Sequence, residues 1–354
     1  MKGSRRTVAV VWGPIFLSVM TASLAAPAPA AGAAADEAAP QAMRAAEMSI
    51  SAVEPVTTPP AALAPSWRVT PYAILPISPA RRFEVRQGGL TTAWPPTRIH
   101  DSYGVPMRIY DGVKRYHPVG LTRMGLAYLR NYRLTHDARY LDRAKRIAGG
   151  LKRMAVSARG ALWFPYRFRW TMHGVDRYLN RPPWYSGMAQ GLALALFSRL
   201  YQYTRDASYL RLADLTYASL RNMGRGTNPW VSWIDGRHYL WIEEYPQQLD
   251  QTFNGFVFAI IGLHDYSQLT KDPALYSATR DSDVLALLRG GITTIRAYTP
   301  TFRNPGAVSD YCIAHHYRNP KYHPVHIAQL RYLTLITGDP WFGRMADAFA
   351  ADVR

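Results

Sequence analysis

Two stretches of this chain set a phenol and an imidazole ahead of a proline: RYHPVGLTRMGLAYL at 115–129 and KYHPVHIAQLRYL at 321–333. In each the proline falls near the first turn of an apolar helical pattern, where its missing N–H would have no partner anyway. Both tyrosines, Tyr116 and Tyr322, are therefore expected at the mouth of whatever these helices build. Tyr116 suits substrate contact and packing equally well. His315 and His316 offer two adjacent imidazoles, but no third ligand stands at a diagnostic spacing, so neither a metal nor any other cofactor is expected. The sole cysteine, Cys312, excludes a disulfide framework.

Two long segments carry most of the remaining chemistry: GALWFPYRFRWTMHGVDRYLNRPPWYSG at 160–187 and WVSWIDGRHYLWIEEYPQQLDQTFNGF at 230–256. Segments of this length inside a compact domain are usually functional. Their aromatic planes suit the apolar faces of sugar rings, and their arginines suit carboxylates or sulfates, which they meet bidentately. Alternating apolar and aromatic residues predict short β-hairpins here.

The elements that must position these groups repeat. LTHDARYLDRA at 134, YTRDASYLRLA at 203, LTKDPALYSAT at 269 and ITGDPWFGRMA at 336 share Thr-x-Asp, with aspartates at 137, 206, 272 and 339 separated by 69, 66 and 67 residues. A repeat of about 67 residues, each an apolar-periodic helix, a turn and a second amphipathic helix with Asp near its start, predicts stacked helical hairpins. Such units extend as a solenoid or close into an all-α toroid. Crowding of the aromatic loops at one mouth favours closure, with hairpin excursions near 160–183 and 230–245.

The chain has 354 residues, 48% of them hydrophobic, which is enough for a large core. Its net charge of +18 would attract an anionic polymer. No nucleic-acid motif accompanies that charge, so nucleic acid is not the expected partner. Residues 1–30 read as a signal peptide: Lys2, Arg5 and Arg6 precede an apolar run and small-residue cleavage sites. The expectation is a secreted or cell-surface protein with no stable membrane association unless that run, about 20 residues and long enough to span, stays uncleaved. Residues 31–66, rich in Ala and Pro, read as a disordered tether, and residues 67–354 as the functional domain. Oligomeric state is not legible.

PPWYSGMAQGLALALFSRLY, then WIEEYP followed by NGFVFAIIGLHDY, then YHPVHIAQL together resemble, in this order, the C-terminal domain of the D-glucuronyl C5-epimerase family over roughly residues 95–348. The resemblance implies an incomplete (α/α) toroid and inversion of glucuronate to iduronate at C5 within an acidic, uronate-containing polysaccharide, heparan sulfate precursors among them. It maps the family's catalytic tyrosines to Tyr245 and Tyr322, a proton-relaying glutamate to Glu244 and a further active-site tyrosine to Tyr311. It also implies groove contacts from Trp184, Tyr185, Gln190, Asn254 and His323. Familiar members carry an arginine three residues after the tyrosine matched by Tyr311; here that residue is Ala314, so either His315, His316 or Arg318 supplies the cation or the acidic group is held differently and the activity has drifted.

The chemistry needs such groups. Removing a proton beside a carboxylate builds a second negative charge, which must be met by a cation or a shared proton. Inversion also needs an acid/base group on each ring face. Three readings stay open: a secreted uronate C5-epimerase; a polysaccharide lyase, which takes the same proton and then expels the C4 substituent; and a non-catalytic binder of acidic glycans.

Overall fold

The computed structural model of the chain describes residues 65–84, 99–269 and 278–353. The signal peptide, nearly all of the tether and the aspartate at 272 lie outside them. Among the described residues, no helix is long and apolar enough to cross a membrane.

Among the described residues, eight α-helices form four hairpins: α1 (Pro118–Thr135) with α2 (Ala138–Met154), α3 (Gly187–Thr204) with α4 (Ala207–Arg221), α5 (Phe253–Ser267) with α6 (Ala278–Phe302), and α7 (His323–Thr337) with α8 (Pro340–Ala351). The first helix of each pair is inner: α1 packs on α3, α3 on α5 and α5 on α7. The first and last inner helices do not pack along their lengths, so the ring is incomplete.

Burial separates the two layers. Every residue of α5 is buried, as is α3 from Gly187 to Tyr201. The outer helix α2 buries only Ala144, Ile147, Ala148, Gly150 and Leu151, one stripe of an otherwise polar helix. Where α3 crosses α5, a Cβ on Gly191 would lie 2.3 Å from Ala259 Cα, and one on Gly262 would lie 2.0 Å from Gly191 O. Only glycine permits this backbone-to-backbone approach.

The Thr-x-Asp turn has one geometry in all three described copies. Asp137, Asp206 and Asp339 cap their outer helices through side-chain bonds from the N–H two residues on. The preceding His136, Arg205 and Gly338 are left-handed. Each threonine hydroxyl accepts from its aspartate's N–H at 3.1–3.3 Å. A left-handed residue closes one helix and an aspartate opens the next, which is why the motif recurs.

Among the described residues, every strand belongs to a two-stranded antiparallel hairpin: β1 (Arg108–Tyr110) with β2 (Val113–Arg115), β3 (Val156–Ala158) with β4 (Ala161–Trp163), β5 (Trp170–Thr171) with β6 (Leu179–Asn180), and β7 (Ser232–Ile234) with β8 (Leu240–Ile242). The last three fall in or beside the two aromatic segments.

Candidate active site

The C-terminal end of β8 points successive side chains to opposite sides, as extended backbone must. Glu243 turns back into its own loop, accepting from Trp233 Nε1 (2.7 Å) and Gln251 N (2.9 Å). Glu244 turns towards the tyrosines. Its Oε2 accepts from the Tyr311 hydroxyl at 2.9 Å and from Thr252 Oγ1 at 3.1 Å. Gly255 of α5 makes room for it, because a Cβ there would stand 2.2 Å from that same oxygen. Glu244 is 7% exposed. Burial raises its carboxyl to about 7, against the pull of the Tyr311, Thr252 and Tyr245 hydroxyls.

Tyr311 is clamped on both sides, its carbonyl accepting from Phe253 N at 3.0 Å and its N–H donating to Tyr317 O at 2.6 Å. Its ring lies 4.5 Å from that of Tyr322. Tyr322 stands at the N-terminus of α7. Burial, then the Glu244 charge, pushes its phenol up to about 12, while the Arg123 guanidinium opposes the rise. Burial holds the Tyr245 and Tyr311 phenols well above the ordinary value as well, reinforced by Glu244. Tyr245, half-buried, leans on an aromatic cluster of Tyr166, Phe168 and Trp184, with the Trp184 ring 5.8 Å away.

Glu244, Tyr245, Tyr311 and Tyr322 thus converge from three separate segments. The other predicted residues sit differently. Gln190 is fully buried and bridges Phe164 N, Leu162 O and Ser219 Oγ, a structural post rather than a groove contact. His323, also buried, bonds Ser309 N and Phe349 O at 2.9 Å each. Trp184 stacks on Tyr166 at 3.8 Å and donates to Phe168 O, so it supports Tyr245 from behind. Tyr185 is buried edge-on to Trp163. Asn254 is buried; its backbone carbonyl accepts from Gln329 Nε2, while its side-chain Oδ1 has no hydrogen-bond partner. The expected replacement cations face elsewhere: Arg318 and the exposed His316 pair with Asp310, and His315 with Asp250.

The two Tyr-His-Pro motifs differ by one residue in register. In the first, His117 is the N-cap, its Nδ1 accepting from Gly120 N at 3.0 Å, and Tyr116 precedes the helix and donates to Asp101. In the second, Tyr322 occupies the cap position and His323 begins the helix.

Sequence reasoning missed Arg123. It lies on α1, half-buried, close enough to Tyr322 to lower that phenol's pKa, and the charge of Arg108 is felt in turn at Arg123. No motif marks it, because its proximity to Tyr322 is made across the ring.

A ring of helical hairpins thus gathers the Glu244 carboxyl and the Tyr245, Tyr311 and Tyr322 phenols in one place. Residues 160–351 match the family of the D-glucuronyl C5-epimerase C-terminus, and the chain belongs to that family. A curated relative, the D-glucuronyl C5-epimerase of Caenorhabditis elegans, is 26% identical over 189 residues, which cover 49% of this chain and 29% of that protein. Among solved structures, the chain is similar to a cellobiose 2-epimerase from Bacillus thermoamylovorans (12% identity, TM-score 0.46, 72% of this chain and 65% of that one). It is also similar to a sugar epimerase from a ruminal bacterium (10% identity, TM-score 0.45, 72% and 65%).

Proposed function

We propose that the protein is a carbohydrate epimerase that inverts C5 of uronate residues within a polysaccharide, D-glucuronate to L-iduronate, and that residues 1–30 direct it out of the cytoplasm. The observation that carries this reading is the buried Glu244 carboxyl, which accepts from the Tyr311 hydroxyl at 2.9 Å and lies close enough to Tyr245 and Tyr322 for its charge to act on both phenols.

Phenols this protonated are poor bases alone at neutral pH. Coupled to Glu244, one of them acts as a base without becoming a free phenolate. Tyr245 accepts the C5 proton on its oxygen while passing its own proton to the Glu244 carboxylate. Tyr322 then donates its proton to the opposite face of C5, and the proton held on Glu244 is returned to the tyrosine pair. Protons balance over the cycle. Arg123 meets the substrate carboxylate, where negative charge accumulates as C5–H breaks. A carboxyl near 7 is both donor and acceptor at neutral pH, which such a store requires.

The test is incubation of uronate polymers in deuterated water, read by NMR at C5 and by absorbance for unsaturated ends. Deuterium at C5 with inverted configuration supports the proposal. Unsaturated ends would make the protein a lyase, and neither signal on any uronate polymer would make it a binder of acidic glycans.

A further inference from the structure

Behind Tyr311 four potential metal ligands converge that the sequence scatters over more than a hundred positions: His173, Asp250, Cys312 and His315. Their donor atoms all lie within 4.8 Å of one another. Cys312 Sγ is 3.5 Å from His173 Nε2 and 3.8 Å from His315 Nδ1, and His173 Nε2 is 3.5 Å from Asp250 Oδ1. A tetrahedral ion with bonds of about 2.0–2.3 Å holds its donors roughly 3.3–3.8 Å apart, so the two edges to Cys312 Sγ already have the required length. Asp250 Oδ1 is otherwise engaged: His315 Nδ1 sits 2.5 Å from it, a hydrogen-bond distance.

The other carboxylate oxygen resolves this. Asp250 is 0% exposed, yet its Oδ2 has no hydrogen-bond partner. A buried carboxylate oxygen left without a donor or a cation costs free energy. We propose that a divalent zinc ion binds here, held by Asp250 Oδ2, the Cys312 thiolate, His173 Nε2 and His315 Nδ1.

The donor set selects the metal. One thiolate, two imidazoles and one carboxylate suit zinc, whereas magnesium and calcium require mostly oxygen. Binding displaces the thiol proton to solvent, after which the two negative ligands and the dication sum to zero. That neutrality fits a site this buried. Four protein ligands close the coordination sphere, so the ion is structural. Aromatic rings already pack on both imidazoles: Tyr317 stacks on His173 at 4.1 Å and Tyr178 leans tilted against His315 at 3.9 Å.

The consequence is mechanical. His173 belongs to the loop between β5 and β6, Asp250 to the segment between β8 and α5, and Cys312 and His315 to the segment between α6 and α7. One ion would join the three excursions that carry or flank Glu244, Tyr245 and Tyr311. The sequence conceals this because only Cys312 and His315 share a local spacing.

The test needs no substrate, so it stands apart from the epimerase reading. The full chain is purified, stripped with a chelator, and titrated with zinc and with cobalt(II). Expected results are one equivalent of zinc by elemental analysis, a higher Tm on reloading, and for cobalt the thiolate charge-transfer and intense visible bands of a tetrahedral site. Cys312→Ser should abolish the charge-transfer band and lower zinc affinity by at least tenfold. His316→Ala, outside the cluster, should change neither. Should Cys312→Ser fail to fold, the cobalt spectrum of the wild-type chain decides alone. Less than a tenth of an equivalent of zinc at micromolar free metal, or an octahedral cobalt spectrum without a thiolate band, would overturn the proposal.

Discussion

Replacing Glu244 with glutamine keeps the side-chain volume and removes one titration whose position burial has moved. The carboxyl stands at about 7 in the folded chain against an ordinary 4.5. Between those values the folded chain keeps a proton that the unfolded chain has lost. The contribution of Glu244 is therefore complete below about pH 4.5 and declines as pH rises through 7. At about 1.4 kcal/mol per pH unit, the span from 4.5 to about 7 amounts to about 3 kcal/mol. Other groups overlap this window. Glu243, also at about 7, acts in the same direction. His117 and His326, held down to about 3 by burial, act in the opposite one, favouring the folded chain increasingly up to about 6.5. The wild-type profile is thus a sum, and subtraction isolates Glu244. Urea denaturation of wild type and E244Q from pH 4.5 to 7.5 should show the variant gaining about 3 kcal/mol relative to wild type as pH rises, or about 5–10 °C in relative Tm. A stability difference constant within about 0.5 kcal/mol would show that Glu244 ionises as in water, and the proton-store argument would fall with it.

Tyr245→Phe and Tyr322→Phe should each slow inversion by about a hundred- to ten-thousand-fold with little change in stability, and full epimerase activity in both would remove them from the mechanism. The variant lacking only the proton-returning hydroxyl should still exchange C5 hydrogen with solvent, which separates the two roles by NMR. Gly255→Ala sets a methyl 2.2 Å from Glu244 Oε2, so it should cost about 1–3 kcal/mol and displace the carboxyl; unchanged Tm and turnover would contradict the contact. Gln190→Leu strands Phe164 N–H and Leu162 O and should cost about 1–3 kcal/mol with KM unaltered, whereas a raised KM at unchanged stability would restore Gln190 to the groove.

The hairpins were legible because their signal is local. Thr-x-Asp encodes a helix stop and a helix start within three residues, and the described copies at 137, 206 and 339 use it identically. The aromatic segments announced their strands by alternation. The candidate site was legible in part. Motif matching singled out Glu244, Tyr245, Tyr311 and Tyr322, and these four do meet. The same motifs drew in Gln190, His323 and Trp184, because the string around a reactive group also holds the residues that support it, and nothing in a linear pattern says which side chain faces the groove. The repeated Tyr-His-Pro shows the limit clearly: a one-residue slip in where the helix begins sends Tyr116 to Asp101 and Tyr322 to Tyr311. Arg123, His173 and Asp250 carried no local signal, because their partners come from distant segments and proximity across a ring leaves no spacing to read.

The incomplete ring brings its two ends together at the site, and those ends have different standing. Glu244, Tyr245, Tyr311 and Tyr322 fall within the family-matched residues 160–351, while Arg123 and Arg108 come from the first hairpins, ahead of that stretch. The carboxyl–phenol cluster and the two arginines come from different parts of the chain. Substitutions in α1 therefore reach the carboxyl–phenol cluster through charge rather than contact, because the Arg123 guanidinium pulls the Tyr322 phenol down against its burial. Replacing the first hairpins would thus change the hold on the Tyr322 proton from a distance, although no residue of the cluster belongs to them.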